Sequence, residues 1–308
     1  MNLDSKIYLA GHNGLVGSAI RRELQREGYT NIITRTSSEL DLSVQQAVLE
    51  FFSREQPEYV FLAAAKVGGI KANNDFPADF IYTNLAIEIN VIHASYLSGV
   101  KKLLFLGSSC IYPRLCPQPM SESALLSSAL EPTNAPYAIA KIAGIIMCQS
   151  YNRQHGTKYI SCMPTNLYGP NDNFDLTSSH VLPALIRKFT DAKATDAKQV
   201  KLWGTGTPKR EFLHVDDLAK ATLFLMNHYD DSEIVNVGCG EDISIADLAG
   251  LIKEVAGYEG EIVFDPEQPD GAPRKLLDIS KIRALGWEPK IGLKEGIEKT
   301  IAWYLKNK

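Results

Sequence analysis

A short apolar segment near the beginning of the sequence leads directly into a glycine-rich loop. Lys6–Ala10 reads as a buried strand, and Ser18–Glu27 has the periodicity of a helix. Three glycines at GxxGxxG spacing lie between them: Gly11, Gly14 and Gly17. In such a strand–loop–helix unit, glycines let backbone amides approach a diphosphate at the positive end of the helix. The segment therefore predicts a dinucleotide-binding unit.

The alternation of strand and helix patterns continues along the first half of the chain. Further strand patterns lie at 31–34, 59–62, 102–107 and 159–163, with helical patterns at 43–54, 79–98 and 137–154. Strands that alternate with helices form parallel sheets covered on both faces. We therefore predict an α/β fold, a Rossmann-type doubly wound parallel sheet with a smaller, mixed α/β substrate-binding domain.

The character of the sequence changes after residue 170, where an Asn- and Asp-rich loop begins. We expect residues 1–170 to form the Rossmann domain that binds the dinucleotide and residues 171–308 to form mainly the substrate-binding domain. A later segment near 210–238, which includes the strand pattern Ile234–Val237, is a candidate to return to the first domain.

Composition and charge exclude several classes of protein. A net charge of −4 in 308 residues, with no long basic run, lacks the signature of a nucleic-acid-binding protein. No apolar run reaches the roughly 18 residues that a membrane-spanning helix needs. Five cysteines without CxxC spacing, and first residues without a signal-peptide pattern, predict a cytoplasmic protein with reduced thiols. The histidines have no suitably spaced partners, so no metal site is expected.

Groups capable of proton transfer follow the fourth strand pattern. Ser108 and Cys110 come just after 102–107, and Tyr137 and Lys141 are four residues apart in a helical pattern. Residues i and i+4 share a helix face, so we expect the Lys141 ammonium to lower the pKa of the Tyr137 phenol toward neutrality. A phenol used in this way is typical of carbonyl chemistry with a nicotinamide cofactor.

Cys110 and His180 suggest a second reaction. Two positions after Ser108, Cys110 can enter the same pocket, where its thiolate would remove an activated C–H proton. His180 begins a helical pattern and would present the complementary acid to the cleft. A small buried cysteine and a surface histidine at a helix start are the alternatives that the residues leave open.

Arg35 bears on the choice of cofactor. NAD-specific sites usually place an acidic residue about 20 residues after the glycine loop, whereas this chain has an arginine there. A positive charge suits the 2′-phosphate of NADP(H), which is the predicted cofactor. An exposed arginine with no ligand is the alternative.

Beyond these single features, the sequence resembles the GDP-L-fucose synthase family of extended short-chain dehydrogenases/reductases over nearly its whole length. Six segments carry the resemblance: Ala10–Gly17, Ala63–Ile70, Leu106–Pro113, Pro136–Lys141, Pro164–Pro170 and Arg210–Asp217. The resemblance implies a bifunctional enzyme that epimerises GDP-4-keto-6-deoxy-D-mannose at C3 and C5 and then reduces C4 with NADPH, giving GDP-L-fucose. It also implies a homodimer formed through helices of the sheet domain.

The resemblance also implies roles for individual residues. The implied catalytic residues are Cys110 as base and His180 as acid in epimerisation, with Ser108, Tyr137 and Lys141 for reduction. The implied cofactor-binding residues are Gly11, His12, Asn13, Gly14, Leu15, Val16, Gly17, Arg35, Asp41, Leu42, Tyr137, Lys141, Pro164, Thr165, Asn166, Leu167 and His180. The implied GDP-sugar-binding residues are Lys188, Trp203, Arg210 and Asp270.

Three positions depart from the family pattern. Lys188 stands where arginine is frequent, which weakens the expectation of a bidentate phosphate contact. Asn13 and Ser37 also stand where family members often have arginine, so Arg35 is expected to neutralise the 2′-phosphate alone. Fewer positive charges imply relaxed discrimination against NADH.

Three other functions match parts of this pattern. A 4-epimerase with tightly held NAD would not require Cys110 and His180, and a 4,6-dehydratase would carry an Asp-Glu pair in place of Ser109-Cys110. A regulatory protein that senses NADP without turnover would keep the glycine loop but could dispense with Tyr137, Lys141 and Cys110. The joint presence of these residues favours the epimerase and reductase interpretation.

Overall fold

Strands and helices alternate along the protein, which a computed structural model describes over residues 1–268 and 270–308. The strands are β1 (Ile7–Ala10), β2 (Ile32–Ile33), β3 (Tyr59–Leu62), β4 (Lys102–Leu106), β5 (Tyr159–Pro164), β6 (Asn166–Tyr168), β7 (Gln199–Trp203), β8 (Lys209–His214), β9 (Val235–Val237), β10 (Asp242–Ser244), β11 (Glu261–Asp265) and β12 (Arg274–Lys275). The helices are α1 (Leu15–Arg26), α2 (Gln45–Glu55), α3 (Ile70–Asp75), α4 (Pro77–Leu97), α5 (Ala135–His155), α6 (Val181–Ala194), α7 (Val215–His228), α8 (Ile245–Ala256), α9 (Ser280–Ala284) and α10 (Leu293–Asn307). Short 3-10 helices lie at Ser109–Ile111, Glu122–Ala124 and Pro132–Asn134. Within the described residues, no helix combines the length and the apolar character needed to cross a bilayer.

Six strands form the main sheet in the order β2-β1-β3-β4-β5-β9, and each pair of neighbours is parallel. Every residue of β1, β4 and β5 is buried, as is typical of a sheet covered by helices on both faces. The strand order changes direction at β1, because β2 lies on one side of it and β3 on the other. This arrangement confirms the predicted doubly wound parallel sheet.

A smaller group of strands lies outside the main sheet. Strand β8 pairs with β6 and β12 in parallel and with β10 in antiparallel fashion, whereas β7 and β11 form a separate parallel pair. Helices α6, α8 and α10 share a second apolar core that includes Phe189, Ile252 and Ile301. Although β9 belongs to the later half of the chain, it lies in the main sheet. The division of the chain at residue 170 stays a prediction.

The carboxyl ends of the parallel strands lie along one edge of the main sheet. Strands β1, β3, β4 and β5 end at Ala10, Leu62, Leu106 and Pro164. In open α/β sheets, ligands bind in the crevice outside these ends, where the strand order changes direction. A ligand site is therefore expected in the segments that follow these strands.

Candidate active site

The glycine loop between β1 and α1 packs closely against the segment that follows β3. Gly11 has φ +85°, and a Cβ there would lie 2.7 Å from the Ala64 backbone nitrogen. A Cβ at Gly17 would lie 2.0 Å from the Gly11 carbonyl oxygen. Helix α1 begins after Gly14 and carries no acidic residue in its first turn, Leu15–Ser18. Its first N–H groups therefore form a positive site at the sheet edge that suits a diphosphate.

The other side chains of this loop differ in exposure. His12 is buried, and its Nδ1 has no hydrogen-bond partner among the described residues. Burial, assisted by the charge of Arg21, lowers the pKa of His12. Asn13 is exposed, whereas Leu15 and Val16 are half-buried. The unpartnered imidazole nitrogen is a polar atom that a ligand in the loop would satisfy.

Arg35 lies just beyond β2 and is held by protein groups. Its Nη2 lies 3.0 Å from Glu55 Oε1, and its Nη1 donates to the Thr34 carbonyl oxygen at 2.7 Å. The guanidinium also lies 5.4 Å from the centroid of the Phe51 ring. The Glu55 carboxylate therefore already forms an ion pair with the guanidinium that we expected to bind the 2′-phosphate.

Asp41 and Leu42 lie on the loop between β2 and α2. Asp41 Oδ1 accepts hydrogen bonds from the Ser43 N–H at 2.9 Å and the Ser43 hydroxyl at 2.6 Å. These bonds lower the pKa of Asp41. The Leu42 carbonyl accepts from the Asn90 side-chain amide at 2.9 Å. The loop is thus fixed both by its own turn and by α4.

Ser108, Cys110 and Tyr137 converge beyond the end of β4. The Ser108 Oγ accepts from the Cys110 N–H at 3.2 Å and caps the 3-10 helix Ser109–Ile111. Tyr137 lies in the first turn of α5, and its ring centroid lies 6.4 Å from that of Phe80. Ser108 and Cys110 are both close enough to the Tyr137 phenol to influence its pKa, which Ser108 lowers and Cys110 raises. A hydroxyl, a thiol and a phenol therefore share one small volume.

Lys141 lies one turn after Tyr137, and its ammonium faces Glu88 of α4. The distance from Lys141 Nζ to Glu88 Oε1 is 3.0 Å, whereas the Tyr137 ring centroid is 5.9 Å away. Burial raises the pKa of Tyr137, and the charges of Cys110 and Glu88 raise it further. The prediction that Lys141 brings this pKa toward neutrality is therefore wrong. Burial is the main cause that opposes ionisation of the phenol, and Lys141 lies closer to the Glu88 carboxyl group than to the Tyr137 ring.

Pro164, Thr165, Asn166 and Leu167 connect the main sheet to β8. The Thr165 N–H donates to a carbonyl of β9 at 3.0 Å, and the Asn166 side-chain amide donates to the Glu211 carbonyl at 2.8 Å. Pro164 ends β5, and Leu167 is half-buried in β6. The segment therefore runs along the same edge as the glycine loop.

His180 is the N-cap residue of α6, and its side chain is exposed. Nearby protein atoms still exclude enough water to lower the pKa of the imidazole. The preceding segment is held by the loop after β3, because the Gly69 N–H donates to the Ser178 carbonyl at 3.0 Å. A Cβ at Gly69 would lie 2.9 Å from the Ser179 carbonyl oxygen. Within the described part of the chain, no side-chain hydrogen bond or ring pair joins His180 to Ser108, Cys110 or Tyr137.

The four predicted substrate residues surround the loop that follows β7. Lys188 donates to a backbone carbonyl of β7 at 3.0 Å, and Trp203 at the end of that strand is 62% exposed. Asp270 accepts from the Thr205 N–H at 2.7 Å and from its hydroxyl at 2.8 Å. Burial lowers the pKa of Arg210, and the nearby Asp270 carboxylate opposes this effect. Asp270 therefore orders the loop and balances the charge of Arg210.

The sequence reasoning missed two residues near this site. Glu88 was passed over as an ordinary acid of the pattern at 79–98, yet it lies four residues from buried Asn84 and three from buried Val91. A charged residue on a buried helix stripe needs a partner, which is the signal that could have identified it. Gly69 belongs to a glycine pair, and such pairs signal close approach of backbone.

Comparisons with known proteins agree with this geometry. The profile of the NAD dependent epimerase/dehydratase family matches residues 7–238. The chain is 61% identical to GDP-L-fucose synthase 1 of Arabidopsis thaliana, over 98% of this chain and 94% of that protein. It is 54% identical to GDP-L-fucose synthase of Escherichia coli K12, over 98% and 97% of the two chains. The solved structure of MlghC, a GDP-mannoheptose C4 reductase from Campylobacter jejuni with NADP bound, has 44% identity, a TM-score of 0.92 and 99% coverage of both chains. These likenesses confirm the resemblance carried by the six segments, and the chain belongs to the NAD dependent epimerase/dehydratase family.

Proposed function

We propose that the protein converts GDP-4-keto-6-deoxy-D-mannose to GDP-L-fucose by epimerisation at C3 and C5 and reduction at C4 with NADPH. The observation that carries the proposal is the convergence of Ser108, Cys110 and Tyr137 at the sheet edge that holds the glycine loop. Reduction uses the serine and the tyrosine, whereas the thiol supplies a base that reduction does not need. GDP-L-fucose synthases at 61% and 54% identity support the same substrate.

The glycine loop fits a dinucleotide. Gly11 and Gly17 let the loop pack tightly against the segment after β3 and against itself, and the first turn of α1 carries no acidic residue that would repel a diphosphate. The His12 Nδ1, which lacks a partner among the described residues, would gain one. Arg35 supplies a cation for the 2′-phosphate. NADPH, when bound, supplies the hydride that reduces C4 of the sugar.

The reduction step needs a proton donor for the C4 oxygen. Ser108 would donate a hydrogen bond to the ketone, which polarises it toward attack at carbon. As the new C–H bond forms and the C=O π bond breaks, the oxygen takes the Tyr137 proton. A phenol whose pKa is raised by burial holds its proton until that oxygen becomes basic. Lys141, paired with Glu88, would hold this end of the site in place.

The epimerisation step needs a base and an acid on opposite faces of the sugar. The C4 ketone acidifies the hydrogens at C3 and C5, so the Cys110 thiolate can remove one of them and leave an enolate. His180 would return a proton to the opposite face, which inverts that centre. Reduction then removes the activating ketone and fixes the new configuration.

Binding of the nucleotide would fall to the residues around β7. Lys188 and Arg210 are cations that suit the diphosphate of a GDP-sugar. The exposed ring of Trp203 offers a surface on which a base or a sugar could stack. Asp270 would act indirectly by holding the loop that carries Thr205.

Two variants separate the proposed steps. In Cys110→Ser, we expect deuterium incorporation at C3 and C5 from deuterated water to be severely impaired while NADPH binding persists. In Tyr137→Phe, we expect hydride transfer to slow while proton exchange continues. Cys239→Ser, which alters a partly buried thiol outside this group, is the matched control and should leave both signals intact. The assignment of roles fails if the two variants show the reversed pattern.

We further propose that the protein forms a homodimer through α4 and α5. Helix α4 exposes Tyr82, Ile89 and Leu97 by 71%, 46% and 58%, and α5 exposes Ile139 and Ile146 by 43% and 42%. Residues seven or eight apart share one helix face, so each helix offers an apolar stripe for a partner copy. Sedimentation analysis should give a dimer for the native chain and a monomer for Ile89→Glu; a monomeric native chain would contradict the proposal.

A cytoplasmic location is also proposed, supported by five free thiols.

A further inference from the structure

Asn73 is a buried amide in α3 that the proposed chemistry does not use. The residue is 6% exposed, and its Nδ2 donates to the carbonyl oxygens of Gly68 at 2.8 Å and Gly69 at 3.0 Å. Because both neighbours are acceptors, the NH2 side of the amide must face them. Its Oδ1 has no partner within the described residues. The two donated bonds are therefore the polar contacts through which this side chain acts.

The bond to Gly68 fixes one peptide group of the loop after β3. The Gly68 carbonyl and the Gly69 N–H belong to the same planar unit. On its other side this unit donates from Gly69 to the Ser178 carbonyl at 3.0 Å. A peptide group between two glycines rotates readily unless both of its polar groups are bonded, because neither residue has a Cβ that restricts the backbone. Asn73 thus holds one end of a hydrogen-bond chain whose other end is Ser178, and the bonds of such a chain strengthen one another.

The turn that ends at His180 depends on this chain. The turn, residues 173–180, is organised by Asp175, which accepts hydrogen bonds from the residues that follow it. Those bonds shape the turn but do not attach it to the main sheet domain. Among the described residues, the bond from Gly69 is the one hydrogen bond that joins 175–180 to a part of the chain beyond this turn and α6. The place of the imidazole therefore depends on the loop after β3.

We propose that Asn73 is a positioning residue for epimerisation: it fixes the peptide group between Gly68 and Gly69 and thereby sets the place of His180. This inference rests on the proposed function, since it concerns the proton that His180 would return to the sugar. A proton donor acts only within hydrogen-bond reach of the atom it serves. Misplacement of such a group by about 1 Å can cost about 100-fold in rate. Asn73 acts through the turn and not on the sugar itself.

Two variants of Asn73 remove its donated bonds in different ways. Asn73→Ala shortens the side chain, whereas Asn73→Leu keeps about the same volume, and both residues favour helices more than asparagine does. With GDP-4-keto-6-deoxy-D-mannose in deuterated water, we expect inverted, labelled centres at C3 and C5 to form about ten- to 100-fold more slowly in both variants. KM for the sugar and the affinity for NADPH should change little. Asn73→Ser, whose hydroxyl can donate one of the two bonds, should retain an intermediate rate.

A double variant tests whether the effect passes through His180. If it does, Asn73→Ala should cause no further loss of epimerisation in His180→Gln, because the group that it positions is already missing. If Asn73 only stabilises the fold, it lowers the rate by the same factor with and without His180, and that outcome overturns the inference.

A second readout needs no turnover and decides the matter where the residual rate of His180→Gln is too low to measure. In cofactor-free protein with labelled histidine, NMR follows the titration of His180, whose signal is identified by its absence in His180→Gln. Nearby protein atoms lower the pKa of this imidazole. In Asn73→Ala the loosened turn should admit water, shift the signal and move the pKa up toward its ordinary value. An unchanged signal and titration would overturn the inference.

Asn152→Ala is the matched control. Asn152 lies near the end of α5, where its amide also donates two hydrogen bonds, to the Tyr159 carbonyl at 2.8 Å and to the Ser232 hydroxyl at 2.9 Å. Its loss should leave both the epimerisation rate of the folded protein and the His180 titration as in the native chain. Native protein that does not epimerise the keto sugar would refute the proposed function, whereas the His180 titration would still decide whether Asn73 holds the turn.

Discussion

The substitution Gly17→Ala tests whether the start of α1 is the cofactor cradle. The added Cβ would lie 2.0 Å from the Gly11 carbonyl oxygen, 2.5 Å from its carbon and 2.9 Å from the His12 Cα. All three atoms are backbone, so the loop itself must move to admit a methyl group. Overpacking of this kind costs about 1–3 kcal/mol, and a ligand that needs the undistorted loop would lose about 5- to 150-fold in affinity.

Fluorescence titration with NADPH measures this loss directly. Gly250→Ala is the matched control, since it adds the same methyl group inside α8, where a Cβ meets no atom of the described residues within 4 Å. The control should bind NADPH as the native chain does, and its free energy of unfolding should rise by up to about 1 kcal/mol. Native affinity in Gly17→Ala would refute the placement of the diphosphate against this loop.

Three further predictions follow from single contacts. Gly69→Ala would push against the Ser179 carbonyl oxygen, 2.9 Å from the new Cβ, and so displace the segment before His180. If that displacement costs about 1.4 kcal/mol, proton exchange at C3 and C5 should fall about tenfold while the affinity for NADPH stays unchanged. Equal losses of proton exchange and of NADPH affinity would contradict an effect confined to that segment. Arg35→Ala should lower the ratio of kcat/KM for NADPH to kcat/KM for NADH about tenfold, because one charge-assisted contact with the 2′-phosphate is lost. If this ratio does not change, Arg35 forms its ion pair with Glu55 but does not bind the phosphate. Burial raises the pKa of Asp172 from 3.8 to about 7, so the unfolded chain releases this proton at lower pH than the folded chain does, and stability is lost as pH rises between those values. Asp172→Asn should remove that loss and raise the free energy of unfolding by at most about 4 kcal/mol at about pH 8, with a smaller gain at about pH 5. Equal gains in the free energy of unfolding by urea at the two pH values would contradict this prediction.

The central sheet could be predicted from the sequence because its signals are local. The patterns at 59–62 and 137–154 correspond to β3 and α5, and the glycine loop lies between β1 and α1. Buried parallel strands are continuous apolar runs, so they stand out without knowledge of their partners. The strands outside the main sheet were not predicted. In β7 buried and exposed residues alternate over only five positions, and β12 has only two residues, so neither gives a strong periodic signal.

The chemistry of the site was predicted less completely than its location. Ser108 and Tyr137 lie together beyond β4, as a strand end and a following helix start allow. The direction in which the Lys141 ammonium points could not be read from its spacing to Tyr137, because a residue of another helix decides it. Glu88 is 53 positions earlier in the sequence than Lys141, and only the packing of α4 on α5 brings the two together. Tertiary contacts of this kind leave no local pattern.

The partner of Arg35 was hidden for the same reason. Glu55 ends α2 and lies 20 residues from Arg35, yet its Oε1 is 3.0 Å from the guanidinium. The position of the arginine after β2 was evident, but not the carboxylate that shares its charge. Cofactor preference therefore depends on a balance between two residues rather than on one.

A single incubation follows epimerisation and reduction together. The purified protein is incubated with GDP-4-keto-6-deoxy-D-mannose and NADPH in deuterated water, while NADPH oxidation and deuterium at C3 and C5 are followed. We predict oxidation of NADPH together with GDP-L-fucose labelled at both carbons, because exchange at the thiol and imidazole precedes reduction. Oxidation of NADPH with no label at C3 or C5 would contradict the account, since the chain would then be a simple C4 reductase and Cys110 would have no part in the reaction.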